Sequence, residues 1–482
     1  MDEPCDVLIV GAGLSGLITA RRLLASGLRV IVLEARERIG GRMVRGRTAD
    51  GTTVDLGGQW GGLTHHRFAA LLDELRIGRF ASYTDGCGVF HWRGRRVLAP
   101  LSHDPADTLL FFEPQALGLE ADELQAARSL QLAFDRLVTS INRRHPWLTP
   151  GADALDRLTV SEWSASISTA PLARLPLDWL CRVGGSGGFE PWEVSILHMA
   201  WCQAVAPQAE TPEGWLVRGG AGGVAERLAA DLERAAPGCI RLGAAVASIL
   251  QTGPTDQTGQ PGGMVHLTTT AGQVLQASLA VVAVPPPLRV AIRFEPPLPA
   301  AHCALLQRSP MGAMTKILAT YRRPFWREQG CNGLGIGDRP VLELVADSSP
   351  PEGTPAVLAS FLTGERAITL EALGAQAERR MILDDLVAYL GEEAGDPLDL
   401  LLHRWNAEPW TGGAFTSFPI PGTWTSHARV AAMGGEGPGP ADHGRVLWAG
   451  TEASPRWPGY FEGAIEAGEL AAARATARLR GG

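Results

Sequence analysis

Apolar runs with little polar alternation mark both ends of the chain. Residues 6–10 (DVLIV), 29–33 (RVIVL) and 446–449 (VLWA) are short, bounded by glycine or charge, and rich in Val, Ile and Leu. Runs of this kind read as strands buried on both faces, the habit of parallel sheets. Between the first two, residues 14–26 space their apolar side chains as a helix does. Gly27 follows as a natural stop. Strand, glycine turn, helix, strand is a βαβ unit. Residues 67–75 read as another helix. From about residue 80 to 212 the pattern lengthens into helical stretches rich in Leu, Ala and Trp, as in ADELQAARSLQLAFDRLV. VRGGAGGVAERLAADLERA is a second glycine turn opening a helix. Residues 246–251, 264–270 and 273–277 read as strands of a meander, and 278–284 as an apolar strand stopped by Pro285. Residues 314–321 form a strand, 371–389 a helix and 463–480 the closing helix. Two polar Pro/Gly segments, TGPTDQTGQPGG and GGEGPGPADHG, read as flexible loops.

Dinucleotide-type pieces therefore occur at the start, middle and end, with other blocks between. This predicts an α/β fold in which a Rossmann-like nucleotide-binding domain (1–80, 212–290 and 406–482) is interleaved with an α+β domain (81–211 and 291–405). The length of 482 residues and 45% hydrophobic content fit a globular chain of about two to three domains. A net charge of −8 argues against a nucleic-acid partner. Seven scattered cysteines without a CxxC pair predict reduced thiols. The opening MDEPCDVLIVGAG has neither the basic nor the apolar region of a secretory leader. No run reaches the ~18 apolar residues of a membrane span. The expectation is a soluble, cytoplasmic protein. His65, His66 and His198 lack partners at metal-ligand spacing, so no metal site is expected.

VLIVGAGLSGLITA carries Gly11, Gly13 and Gly16 in the GxGxxG spacing, with Ala12, Leu14 and Ser15 between them. The first glycine makes the turn, the second lets backbone approach a pyrophosphate, and the third lets helix and strand pack closely. The free N–H groups of the helix start then face the phosphates. Glu34 ends the next strand, in place to accept from ribose hydroxyls. A carboxylate there disfavours a 2′-phosphate. FAD and NAD share this fingerprint. Further on, Gly40 and Gly41 bring backbone close again, Arg42 can neutralise phosphate charge, and a second pair, Gly57 and Gly58, follows a strand in TVDLGGQWGG.

Of the 43 basic residues, one is a lysine: Lys316, in MGAMTKILATY. Arginine holds its charge at any accessible pH, whereas a buried ammonium can lose its proton. The solitary lysine is therefore either a position that a guanidinium cannot fill or a chance survivor on a strand surface. Composition leaves both open.

With these residues in view, the chain resembles the flavin-containing amine oxidase family, the group of monoamine, polyamine and L-amino-acid oxidases, and most of all monoamine oxidase. The likeness runs through DVLIVGAGLSGL, VIVLEARERIGGR, VDLGGQW, RGGAGGVAERLA, AVVAVPPPL, MGAMTKILATYRRPFW, WTGGAF and LWAGTEASPRWPGYFEGAIEAGE. It implies a GR2-type FAD-binding domain and an amine as substrate. It also implies cofactor contacts from Ala35, Arg36, Gly41, Arg42, Gln59 and Trp60, from Val246 beside the adenine, and from Trp405, Gly450, Thr451, Glu452 and Phe461. In the family a lysine at the place of Lys316 holds a water that bridges to the flavin. Tyr460 and Phe415 match the two rings of an aromatic cage that steers the amine. Phe415 keeps the ring and loses the hydroxyl often found there. Ala414 stands where some monoamine oxidases attach FAD through a cysteine, so the resemblance implies FAD held non-covalently. It also implies dioxygen as electron acceptor, no membrane anchor and a possible homodimer. L-amino-acid oxidases of the family typically carry an arginine just after the second glycine pair, and GGQWGG has none. That makes an amino-acid substrate the lesser alternative, beside a polyamine.

Overall fold

The computed structural model describes residues 5–102, 104, 108–184, 187–207, 213–253, 263–433 and 439–480. The two Pro/Gly loops expected to be flexible lie partly outside these residues, at 254–262 and 434–438.

The first sheet has eight strands among the described residues. Its centre is Cys5–Val10, which pairs in parallel with Val30–Leu33 on one side and Val274–Val282 on the other. Val7, Leu8 and Ile9 are fully buried, as their unalternating sequence predicts. The helix Leu14–Ala25 returns across this sheet and packs on the closing helix Phe461–Arg480. Their backbones touch: a Cβ on Gly468 would lie 2.6 Å from the carbonyl oxygen of Ser15. The first and last helices among the described residues are thus locked together beside the glycine turn.

A second sheet of seven strands lies elsewhere in the fold, in the order Asp399–Arg404, Met314–Tyr321, Ala356–Thr363, Leu344–Asp347, Cys331–Gly337, Cys87–Trp92, Arg95–Ala99. Every residue of Met314–Tyr321 is buried. The strand is covered on both faces and flanked on both edges, with Lys316 opposite Phe361 on one side and His403 on the other. Lys316 is 2% exposed, which removes the reading of a surface lysine.

Three expectations are corrected. Residues 273–284 form one strand, Val274–Val282, not two. Its first half pairs antiparallel with Val265–Thr269 and its second half parallel with Val446–Trp448. The change of neighbour turns an alternating pattern into a continuous one midway. Residues 371–389 belong to two helices, Gly364–Ala372 and Ala375–Leu390, interrupted at Gly374, whose φ is 85°. The block 80–212 is not wholly helical: Cys87–Trp92 and Arg95–Ala99 make a hairpin turning at Arg93 and Gly94. Its arginines obscure the period-two pattern.

The turn after the first strand is the tightest point of the first sheet. A Cβ on Gly16 would stand 2.0 Å from the carbonyl oxygen of Gly11. Gly16→Ala should cost about 3 kcal/mol and lower the melting temperature by several degrees, measured by thermal unfolding of the purified protein.

Candidate active site

One cavity runs from the end of Val30–Leu33 to the middle of Met314–Tyr321. At one end Glu34 is 4% exposed, its carboxylate accepting from the amide of Ala12 at 2.8 Å and from that of Arg36 at 3.1 Å. Arg36 donates to Thr411 Oγ1 and pairs with Glu408 at 3.0 Å. Glu408 also pairs with Arg38 at 3.1 Å. The helix Leu14–Ala25 opens on the cavity through Gly13, with no side chain capping it and no acid in its first turn. Its first amides therefore keep their positive ends free for an anion.

At the other end stands Lys316. Its ammonium donates to the carbonyl oxygen of Gly57 at 2.7 Å and to Gln59 Oε1, and lies 5.9 Å from the centre of the Trp60 ring. An ammonium has three donors. Two are spent on the glycine-pair segment, and one is left. Desolvation pulls the Lys316 pKa down to about 7, against the pull of Asp55. Asp55 is itself buried, accepting from the amides of Ala221 and Gly222 at the second glycine turn, at 2.8 and 3.1 Å. Burial raises its carboxyl above the ordinary range, and Lys316 and the two amides act in the opposite sense.

Phe415 and Tyr460 line the same cavity. Phe415 packs edge-on against Phe361 with centroids 5.3 Å apart, and Tyr460 against Trp457 at 5.1 Å and His65 at 5.5 Å. The peptide bond between Ala414 and Phe415 is cis. Behind Phe415, Arg42 donates to its carbonyl oxygen and to Glu452 Oε1, both at 2.7 Å. Burial alone would raise the Glu452 carboxyl, but Arg42 together with hydrogen bonds from its own backbone and from Thr416 holds it below its usual range.

The family follows from the whole chain. Residues 14–476 match the sequence profile of the "Flavin containing amine oxidoreductase" family. The chain belongs to that family. It is 40% identical to an L-amino acid dehydrogenase of Synechocystis over 97% of this chain and 94% of that protein. It is 32% identical to the flavin-containing amine oxidase B of Sus scrofa, over 98% of this chain and 86% of that one. Among solved structures, a putrescine oxidase with putrescine bound aligns with a TM-score of 0.87 at 27% identity, covering 98% of this chain and 99% of that one. Cyclohexylamine oxidase from Brevibacterium oxydans aligns with a TM-score of 0.86 at 30% identity, covering 99% and 100%. The chain is an oxidoreductase of amines, and its cofactor is FAD, held without a covalent bond.

The cavity fits that group. A Cβ on Gly13 would meet no atom within 4 Å, so the glycine opens on free space where a phosphate can approach the helix start. Glu452 Oε2, buried without a hydrogen-bond partner, lies just behind the cavity wall, 3.5 Å from where a Cβ on the cavity-lining Gly450 would stand. Glu34 lines the far end of the same cavity. Ala414, at the cavity wall, offers no nucleophile for a covalent link.

Of the cofactor contacts expected from sequence, all line this cavity except Ala12, Gly16, Gln59, Trp60 and Glu452. Ala12 orients Glu34. Gly16 shapes the turn, and Gln59 holds Lys316 and donates to Ser348 Oγ at 2.7 Å. Glu452 lines a second, smaller cavity of about 80 Å³ behind the first. Trp457 packs on His65 at 4.5 Å, and His65 Nδ1 accepts from the amide of Gly62. His198 Nδ1 accepts from Trp424 Nε1 at 2.8 Å. Sequence reading missed Met314, Phe361 and Glu408. Phe361 is recognisable only once its strand is known to pair with that of Lys316. Glu408 needs the fold that brings it 372 residues back to Arg36.

Two outcomes follow. Acid precipitation should release all the yellow chromophore into the supernatant, read by absorbance; colour left in the washed pellet would contradict the assignment at Ala414. The second concerns Lys316→Met. The Lys316 pKa is about 7 in the fold and near 10.5 when unfolded, so between these values the unfolded chain binds the extra proton and stability rises with pH. From pH 7 to pH 9 wild type should therefore gain about 2 kcal/mol relative to Lys316→Met. Denaturant titrations of both proteins at the two pH values measure this.

Proposed function

We propose that the chain oxidises a primary monoamine with an apolar side chain. The product is an imine, which water converts to an aldehyde and ammonia, and dioxygen takes up the two electrons as hydrogen peroxide. The observation that carries this reading is the chemistry of the cavity end around Lys316. Among the described residues lining the cavity, the guanidinium groups are those of Arg36 and Arg42. Arg36 is engaged by Glu408 and Thr411, and Arg42 by Glu452 and the Phe415 carbonyl. The wall near Lys316 is built from Met314, Phe361, Phe415 and Tyr460. Such a wall receives an apolar body and has no free clamp for a carboxylate.

FAD, when bound, supplies the two-electron acceptor. The chain's own residues do the rest. Phe415 and Tyr460 form the walls that orient the amine, and their ring faces attract its nitrogen. The Phe361 edge and the His65–Trp457 pair fix those rings. Lys316 holds one water at the reacting end, through its third N–H as the ammonium or through its lone pair as the neutral amine, whose two N–H groups go to Gly57 and Gln59. With its pKa near 7, it does so without adding a full charge to a site that must accept a neutral amine. The first sheet and its glycine turns are the cofactor-binding part, and the second sheet carries the substrate wall.

A second reading has a specific observation behind it. The 40% identical cyanobacterial relative is named an L-amino acid dehydrogenase, which favours an amino acid as substrate and an acceptor other than dioxygen. One experiment separates the readings. Flavin bleaching is followed anaerobically with phenethylamine, putrescine and a set of L-amino acids, and the reduced enzyme is then mixed with dioxygen or benzoquinone. Rapid bleaching by phenethylamine and reoxidation by dioxygen with stoichiometric peroxide is the expected result. Bleaching by L-amino acids alone, with reoxidation only by the quinone, would replace the first reading with the second.

A further inference from the structure

The segment of Phe415 is held from behind by two others that meet it and each other backbone to backbone. The Phe415 amide donates to the carbonyl oxygen of Gly187 at 3.3 Å, and the amide of Ala313 donates to that of Gly188 at 2.8 Å. The amide of Ala414 donates to the carbonyl oxygen of Gly312 at 3.0 Å. No side chain fits between these segments. A Cβ on Gly188 would stand 2.5 Å from the Ala414 carbonyl oxygen, and a Cβ on Gly312 would stand 2.5 Å from the same atom. Bare backbones have no side chains to interlock, so beyond these three hydrogen bonds their packing is held from outside.

The fixing groups lie on both sides of Gly187 and Gly188. Arg182 ends the helix Pro171–Arg182, and its Nε pairs with Glu190 Oε2 at 2.7 Å. Its Nη1 pairs with Glu343 Oε1 at 2.8 Å, and Arg366 pairs with the same oxygen at 2.6 Å. Glu190 and Glu343 are each 4% exposed. Glu190 Oε1 also accepts from the amide of Glu365, at the start of Gly364–Ala372. The amide of Gly364 in turn donates to the carbonyl oxygen of Ala313 at 3.0 Å. The cluster thus joins the end of one helix, the residue before the strand Leu344–Asp347 and the start of another helix. That second helix follows directly on the strand that carries Phe361. Arg182 and Arg366 pair the two buried carboxylates, Asp178 is a third acid near enough to act on Arg182, and buried carboxylates of this kind keep their place only while paired.

We infer that Arg182, Glu190, Glu343 and Arg366 act as a positioning device for the cage, holding Gly187 and Gly188 against Gly312 and Ala414 so that Phe415 stands at a fixed distance from Phe361. These are positioning residues; they act on the amine through Phe415. The consequence for catalysis rests on the assignment of Phe415 as a cage wall, whereas the mechanical coupling does not.

Hydrogen–deuterium exchange on the flavin-loaded protein tests the coupling directly. In Arg182→Met the amides of Phe415 and Ala313 should exchange at least about tenfold faster, while those of Val7, Leu8 and Ile9 stay at wild-type rates. Arg182→Lys, which can meet one carboxylate but not span both, should fall between. In the same variants the concentration of phenethylamine needed for half-maximal anaerobic bleaching should rise, with the flavin content unchanged. Wild-type protection of Phe415 and Ala313 in a folded, yellow Arg182→Met protein would overturn the inference. Should that variant not fold, Glu190→Gln keeps the size and the acceptor for Glu365 and removes the charge. Faster exchange at the same two amides supports the coupling, and unchanged exchange overturns it. If no amine bleaches the wild-type flavin, the reading of function fails while the exchange result still decides the inference.

Discussion

Backbone lying directly against backbone is the constraint on which this site depends. A cavity for a long dinucleotide must be walled by chain that comes very close, and side chains would fill the space. A Cβ on Gly57 would stand 2.0 Å from the Arg42 carbonyl oxygen, and Gly41 brings its own Cβ position within 3.3 Å of Gly13 Cα. The same device recurs at Gly188, Gly312 and Ala414, behind the cage. Contacts of this kind carry little side-chain energy, so each is tied by charge or by hydrogen bonds from outside: Asp55 on the second glycine turn, Glu452 and Arg42 behind Phe415, Arg182 and Glu190 beside Gly188.

Lys316 shows the energetic cost of the arrangement. Moving its pKa from 10.5 to about 7 corresponds to roughly 5 kcal/mol against the charged form. The fold accepts this because the carbonyl oxygen of Gly57 and Gln59 Oε1 receive two of its donors, and because Asp55 is near enough to be felt electrostatically. A guanidinium is larger and would stay charged, so the one lysine of the chain occupies a place arginine cannot fill. The group is left near neutrality at physiological pH, and as the neutral amine it keeps its lone pair after both N–H groups are taken by Gly57 and Gln59.

The relatives differ in the substrate named for them more than in architecture. An L-amino acid dehydrogenase, an amine oxidase B, a putrescine oxidase and a cyclohexylamine oxidase all align over nearly the whole of this chain. In this chain the cavity near Lys316 is lined by Phe361, Phe415, Met314 and Tyr460.

The βαβ start, the glycine turns, Glu34 and the oddity of Lys316 were all legible in the sequence. Each is a local pattern whose physical meaning needs no distant partner: a period, a spacing or a break in composition. The hairpin Cys87–Trp92 and Arg95–Ala99 and the single strand Val274–Val282 were not, since both are defined by the strands they pair with. The residue opposite Lys316, the pairing of Arg36 with Glu408 and the cluster around Arg182 were invisible for the same reason. Apart from Glu190, eight residues from Arg182, their partners lie tens to hundreds of residues away, and only the closing of the chain brings opposite charges and facing rings within a few ångströms. Sequence determined which chemistry the chain carries; tertiary structure decided which groups surround it, because burial and partner distance are what move a pKa and fix a ring.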